Sequence, residues 1–564
     1  LSGWKWKSLA GVALALVVGA GVWAWSDFQA QPREPSSSGG PASVRRLTEE
    51  QYRQTIAELF GSDIKVGGRF EPDLRPENGL IADGSSEVAV TPSGFEQYDA
   101  LARGIADQVV DKDHRDILVS CKPASAEAPD DPCARQFLSK TGRLLFRRPL
   151  TADELNTEVA VAHESAVKLG NFYAGLGQSL AGMLDDPDFL FRVEAVAKTP
   201  DGAGARQLDA YSKAERLSFL IWNATPDDAL LAAAERGDLD TRKGLTRQVD
   251  RLLASPRLEG GVRAFFADML GFDSFQELQK EQNLYPKFSL QVAADAKEQT
   301  LRTIVDLLVA NDGDYRDIFT TRKTFVTRSL GAIYEIPVDN ATGWQPYEFP
   351  AGDPRAGLLT QLSFVALHSH AGRSSPTLRG KAVRELLLCQ RVPAPPSNVD
   401  FALVDNTADP RFRTARDRLT AHRANPTCAG CHAIMDPIGL ALEDFDTVGE
   451  YRTTENGAPI DSSGQLNKIP FQDAAGLGKV IHDDPSATAC LVRRVYEYGV
   501  GRAPEKGEAV WINDLNRRFA EDGYRIPQLL RRIALSDAFY RVAPASGSVP
   551  SAKTASASTS IREN

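Results

Sequence analysis

The stretch Cys428-Ala429-Gly430-Cys431-His432 carries two thiols and an imidazole at the spacing of a c-type haem attachment site. Each thiol can form a thioether to a haem vinyl group, and the histidine directly after them reaches the iron as an axial ligand. A short turn leading into a helix sets both sulfurs along one haem edge and the imidazole beneath the ring. A Cys-x-x-Cys pair without the histidine reads instead as a redox dithiol or half of a zinc site. Zinc needs a second ligand pair, and none stands nearby at that spacing. Cys428, Cys431 and His432 are therefore the candidate cofactor-binding residues, with His432 the proximal iron ligand and one covalent haem c the expected cofactor.

Working outward, the distal ligand decides the chemistry. Methionine there gives a high-potential electron carrier, but the chain has only Met183, Met269 and Met435. Met435, three residues after His432, falls on the same haem side and reads as core packing; Met183 and Met269 lie in distant stretches. His370 or His368, just before Ser374-Ser375-Pro376, is the remaining distal candidate, and His422 falls near the haem edge. Arg373, Arg379 and Arg452 are candidate partners for haem propionates. The second nitrogen of His432 is expected to donate to a backbone carbonyl of an Asp436-Pro437-Ile438-Gly439 turn. Glu443, Asp444 and Asp446 lack the glycine and distal glutamate of a calcium loop and read as a solvated face.

The other cysteines fit an oxidising compartment. Cys121 and Cys133 bracket a loop rich in Pro, Ala and Asp and suggest a local disulfide; Cys389 and Cys490 remain, and would staple the segments on either side of the haem motif. At the N-terminus Lys5 and Lys7 precede an uncharged apolar run from Leu9 to Trp25, flanked by Trp4, Trp6, Trp23 and Trp25. This reads as an export signal over 1–30, either an uncleaved membrane anchor or a cleaved signal. The positive-inside rule then puts the rest of the chain outside the cytoplasm: periplasmic and anchored to the inner membrane, or secreted. The 564 residues carry a net charge of −10 with no basic block or aromatic-basic stripe, so nucleic acid is not an expected partner.

Helix signals dominate. Thr48 with Gln51, Thr151 with Glu154, and Ser212 with Glu215 read as capping boxes, and Thr225-Pro226-Asp227-Asp228 as an N-cap followed by Pro at the first helical position. Asn456-Gly457 marks a hairpin within Tyr451–Leu466. The expected class is mainly α: several helical modules followed by a C-terminal cytochrome-c-like haem module with a small β-hairpin. The divisions read from the sequence are a flexible linker 31–44, helical N-terminal modules 45–200, a helical middle module 205–345, a connector 350–400 ending in Pro393-Ala394-Pro395-Pro396, the haem module 401–542 and a disordered tail 543–564.

Five groups of motifs resemble one family. They are Arg46-Leu47-Thr48 with Gln51-Tyr52 and Leu59-Phe60-Gly61; Leu145-Phe146-Arg147-Arg148-Pro149-Leu150-Thr151; Asp185-Asp186-Pro187-Asp188-Phe189-Leu190 with Tyr211–Ala234; Ser375-Pro376-Thr377-Leu378-Arg379-Gly380-Lys381 through Cys428 to Arg452; and Cys490–Gly501 with Ala534–Arg541. They are similar to the large secreted family of cytochrome-c-like proteins built from domains of unknown function 1587, 1595, 1592, 1588 and 1585, best known from planctomycetes and myxobacteria. The resemblance implies a haem c protein outside the cytoplasm and supplies no substrate. The function expected is electron transfer as redox partner of an exported oxidoreductase. The rivals are a peroxidase- or oxygenase-like enzyme with an open distal site, and a surface structural or binding protein with an accessory haem.

Overall fold

Most of the longer helices among the described residues start on a side chain that takes up a free N–H group of the first turn. The computed structural model describes residues 34–198, 206–394 and 402–543. Strand β1 (Val44–Arg46) leads into α1 (Glu49–Phe60), where Thr48 and Gln51 form the expected capping box and Gly61, at φ 89°, ends the helix. Helices α2 (Pro92–Val110), α3 (Asp131–Leu145), α4 (Ala152–Leu169) and α5 (Phe172–Asp185) follow. Thr151 and Glu154 close the second expected box at α4. Thr151→Ala should therefore lower stability by about 1 kcal/mol, seen as a lower denaturant midpoint at unchanged slope. Tyr52, Ile56, Phe137, Leu176 and Phe189 join the inner faces of these helices in one core. Strand β2 (Phe191–Val193) then pairs antiparallel with β1.

A second set comprises β3 (Arg206–Gln207), α6 (Ala210–Trp222), α7 (Asp228–Glu235), α8 (Arg242–Leu253), α9 (Leu258–Met269) and α10 (Leu290–Val305). Two helix starts differ from the expected ones. Asp209 caps α6 by accepting from the Ser212 N–H, and Asp227 caps α7, while the Thr225 hydroxyl donates to the Leu144 carbonyl. In both places a carboxylate is available, and an anion accepts from helix N–H groups more strongly than a hydroxyl.

Strands β4 (Lys323–Val326) and β5 (Gln345–Glu348) form an antiparallel pair. Helices α11 (Pro376–Ala382), α12 (Ala415–His422) and α13 (Pro426–Gly439) follow. Then come the pairs β6 (Thr454–Glu455) with β7 (Ala458–Pro459) and β8 (Gly464–Leu466) with β9 (Ile469–Phe471). Asn456 and Gly457 make the expected turn at φ 48° and 71°; Asn467 and Lys468 make a second one at 51° and 70°. This second hairpin carries no glycine signal, and lysine is not a residue that announces positive φ. Helices α14 (Ala474–Asp483), α15 (Pro485–Val500), α16 (Ala509–Glu521) and α17 (Ile526–Leu535) and strand β10 (Arg541–Val542) complete the described chain. Leu217, Phe266, Phe445, Leu466, Trp511 and Phe539 belong to one core, which the middle and C-terminal parts share. The described residues are thus mainly helical.

Buried charge ties the parts together. Glu194 accepts from Arg216 at 2.6 Å and from Arg45 at 3.4 Å, while Glu215 accepts from Arg147 and Arg192, each at 3.0 Å. All six residues are buried. Arg147 also donates to the carbonyls of Asp188, Phe189 and Phe191, where a short helical turn runs into β2.

Both expected disulfides form, Cys121–Cys133 and Cys389–Cys490, and they fit an extracytoplasmic location. The expected membrane contact is corrected. No helix of the described residues is long and apolar enough to cross a membrane, and residues 1–30, where the anchor was expected, lie outside them. The linker is corrected for its described part. Glu34 accepts from the Trp511 indole and the Ser536 hydroxyl, Ser37 is buried, and Gly40 bridges to Val542. The small residues at 37–40 let the backbone lie directly on other chain: a Cβ at Gly39 would come 2.2 Å from the Arg541 carbonyl oxygen. Residues 544–564 of the expected tail, and Pro395 and Pro396 of the connector, lie outside the described residues.

Candidate functional site

Asn425 caps α13 by accepting from the Thr427 N–H, with Pro426 at the first helical position. Helical winding from this start brings Cys428, Cys431, His432 and Met435 to one face, and all four line a cavity of ≈ 540 Å³. That volume falls within the range of small-molecule and cofactor sites. The facing walls come from α11, α12 and the segment that begins at His370. Leu378, Val392, Leu419 and Met435 make the lining largely apolar, with Arg373, Lys381 and Arg418 as its cations. Cys428 and Cys431 are the free cysteines among the described residues.

The cavity floor is set by backbone contact between α11 and α13. A Cβ at Gly380 would come 2.0 Å from the Met435 carbonyl oxygen, and one at Gly439 would come 1.7 Å from that of Pro376. Only glycine allows the helices this close. Their approach brings the Thr377 hydroxyl within 2.9 Å of Asp436 Oδ1, to which it donates.

His432 Nδ1 lies 3.0 Å from both carboxylate oxygens of Asp436, a fully buried residue. The expected backbone carbonyl is thus replaced by a side chain. Asp436 to Gly439 is the last turn of α13 rather than a separate loop, and residues i and i+4 of a helix face each other. Among the described residues, His432 Nε2 makes no hydrogen bond. The buried His422 ring packs edge-to-face on His432 with centroids 4.8 Å apart.

The two distal candidates separate. His370 lines the cavity and is exposed at its mouth. Partial desolvation, then Arg373, holds its pKa below the usual histidine value. His368 is not among the lining residues; its ring packs edge-to-face on Phe364 at 4.8 Å. Burial, with Arg379 and Lys280 nearby, pushes its pKa down to about 3. Met183 and Met269 are buried in the two main cores.

The propionate candidates separate too. Arg373 lines the cavity, paired with Asp405. Arg379 is wholly buried and donates to the carbonyls of Leu442, Phe445 and Asp446. Arg452 bonds Ser374 and Glu443. Glu443 and Asp446 are therefore no solvated face: both are buried, and Glu443 is paired with Arg379 and Arg452. His114, His163 and His482 pair with nearby aspartates away from the cavity. Among the described residues no group of three or more His, Cys, Asp or Glu is arranged to hold a bare metal ion.

Five residues escaped the sequence reading. The i, i+4 spacing of His432 and Asp436 was the available signal for the first. Thr377 and Arg418 gave none, because their partners Asp436 and Glu455 come from other elements, and Lys381 pairs locally with Glu385, which says nothing of a cavity. Lys280 reaches across 90 residues to donate to the His370 carbonyl at 3.1 Å, and to Ala366 and Thr447 at 2.8 Å each. It pins the backbone that carries His370. Burial, followed by Arg379, pushes its pKa down to about 7.

Five family models match the chain in order. They are the Proteins of unknown function DUF1587 over residues 45–111, DUF1595 over 133–194, DUF1592 over 208–336, DUF1588 over 355–455 and DUF1585 over 468–539. The chain belongs to the multi-module family built from these domains. No curated protein and no solved structure matches it. Every residue lining the α13 cavity, from His370 to Met435, falls inside the DUF1588 match. The buried ion network draws on three other modules of the family: Arg45 from DUF1587, Arg147, Arg192 and Glu194 from DUF1595, and Glu215 and Arg216 from DUF1592.

Proposed function

We propose that the α13 cavity takes one covalent haem c, with Cys428 and Cys431 as thioether donors and His432 as proximal ligand, and that the protein is an exported one-electron carrier serving an exported oxidoreductase. One observation carries the reading. Both free thiols and His432, its Nδ1 already taken by Asp436, converge on a single largely apolar cavity of ≈ 540 Å³. The donor set fits the group: two thiols for covalent attachment, one imidazole nitrogen left for iron, and cations at the wall. A bound haem would supply reversible ferric–ferrous exchange. The chain's own residues do the rest. Cys428 and Cys431 tie one edge of the group to α13. Leu378, Leu419 and Met435 would keep water from the bound group, and Arg373 and Lys381 would offer donors to its carboxylates. His370, Lys381 and Val392 line the same cavity, so the proposed cytochrome-c-like unit begins upstream of residue 401.

The test is expression of the full chain in a host that attaches haem c. Haem that stays with the denatured wild-type chain, and is absent from a Cys428→Ser/Cys431→Ser double variant, is the expected result. A wild-type chain that carries none would remove the reading.

A specific observation favours a second reading, an enzyme with an open distal position. The one methionine lining the cavity, Met435, sits on the same helix as His432, and His370 lies exposed at the mouth. Carbon monoxide added to the reduced protein separates the two. An unmoved spectrum means a filled position and a carrier; a shifted one means an open position.

A further inference from the structure

We infer that Asp436 is the positioning residue of this site: its carboxylate fixes His432 in the tautomer protonated at Nδ1, leaves Nε2 for the metal, and lowers the centre's potential. The inference rests on the haem reading above.

The geometry is unusually closed. Both Asp436 oxygens stand 3.0 Å from His432 Nδ1, and the Thr377 hydroxyl donates to Oδ1 at 2.9 Å. Asp436 is 0% exposed. Among the described residues no Lys or Arg lies within ion-pair distance of it; its one such partner is His432. Glycines brace both sides of the contact, Gly380 against the carbonyl of Met435 and Gly439 against that of Pro376. The carboxylate is thus held between the imidazole N–H and the Thr377 hydroxyl.

A buried carboxylate without a cation is costly unless positive charge arises beside it. An iron held by His432 would supply that charge in its ferric form, through the imidazole. A carboxylate partner also raises the basicity of a metal-bound histidine. Both effects favour the oxidised state over what a neutral carbonyl partner gives. The hydroxyl of Thr377 works the other way, since it draws charge from the oxygen that faces His432.

The test compares midpoint potentials of the haem-loaded full chain. Asp436→Asn keeps the shape and removes the charge, and should raise the potential by at least 59 mV, a tenfold change in the ferric–ferrous ratio for one electron. Thr377→Val removes the competing donor and should lower it. Opposite signs are the decisive result, because a merely structural disturbance does not produce them. Equal potentials, or shifts of one sign, would overturn the inference. If Asp436→Asn does not fold, Thr377→Val decides alone: a fall supports, and a rise or no change overturns.

Wild-type chain that carries no haem marks failure of the haem reading itself, and with it the effect on potential. The tautomer is then read separately, from ¹⁵N-histidine spectra of the haem-free full chain with His432→Gln used to assign the signal. An Nδ1-protonated ring supports the positioning role, and an Nε2-protonated one overturns it.

Discussion

Glu194→Ala is expected to remove about 3–5 kcal/mol of stability, the range for leaving buried charges without their partner. That is a large part of the 5–15 kcal/mol that holds a typical domain together. The reason lies in what Glu194 satisfies. Its carboxylate accepts from Arg216 Nε at 2.8 Å, from the Arg216 and Arg45 guanidinium ends, and from the Ser43 N–H at 2.9 Å. Alanine leaves two arginines in the interior with no anion. Denaturant unfolding followed by far-ultraviolet circular dichroism measures the loss.

The same carboxylate gives a pH signature. Burial alone would raise its pKa from 4.5, but Arg216 and Arg45 outweigh burial and hold it at about 2. The folded value is depressed, so the stabilisation is fully present above 4.5 and is lost as pH falls through about 2. Glu194→Gln should therefore melt at a lower temperature than wild type at neutral pH. Its melting temperature should also fall less steeply between those two pH values. Parallel slopes in the two proteins would show that the network does not set the acid limit.

Gly439→Ala should cost about 3 kcal/mol, the upper end of the range for overpacking. The added carbon would meet the Pro376 carbonyl oxygen at 1.7 Å, and both sides of the contact are backbone. Neither can rotate aside, so α11 must separate from α13. The Thr377–Asp436 hydrogen bond should break with it. Gly430 in the same helix is the control, for a Cβ there meets nothing within 4 Å. Gly430→Ala should stabilise by up to about 1 kcal/mol through helix propensity alone. Thermal melts of the two variants should thus move in opposite directions, although the chemical change is identical.

What could be read from the sequence was local. Thr48, Thr151 and Asn456-Gly457 act on neighbours three or fewer residues away, and each sits as expected. Ser212 and Thr225 misled because a stronger acceptor stood two or three residues off. The Arg45–Glu194 pair spans 149 residues, and nothing in either residue's surroundings announces the other. Arg379 and Arg452 read as partners for haem propionates, yet Arg379 is buried against carbonyls and Glu443, and the half-buried Arg452 is taken up by Ser374 and Glu443. At the site, the thiols and His432 were legible from spacing. The carboxylate behind His432 is equally local, but a proline inside its segment points to a turn. Pro437 instead lies within the last turn of α13.

The stitching of the two ends has a consequence in time. Gly40 bridges to Val542, the Ala543 N–H donates to the Gly40 carbonyl, and β3 waits for β10. A growing chain can close its first core once residues near 190 have emerged, since that core is almost wholly made by then. The shared second core, which includes Val542, is incomplete until β10 arrives. For most of synthesis the middle of the molecule is therefore an unfinished surface, and residues 541–543 act as the latch.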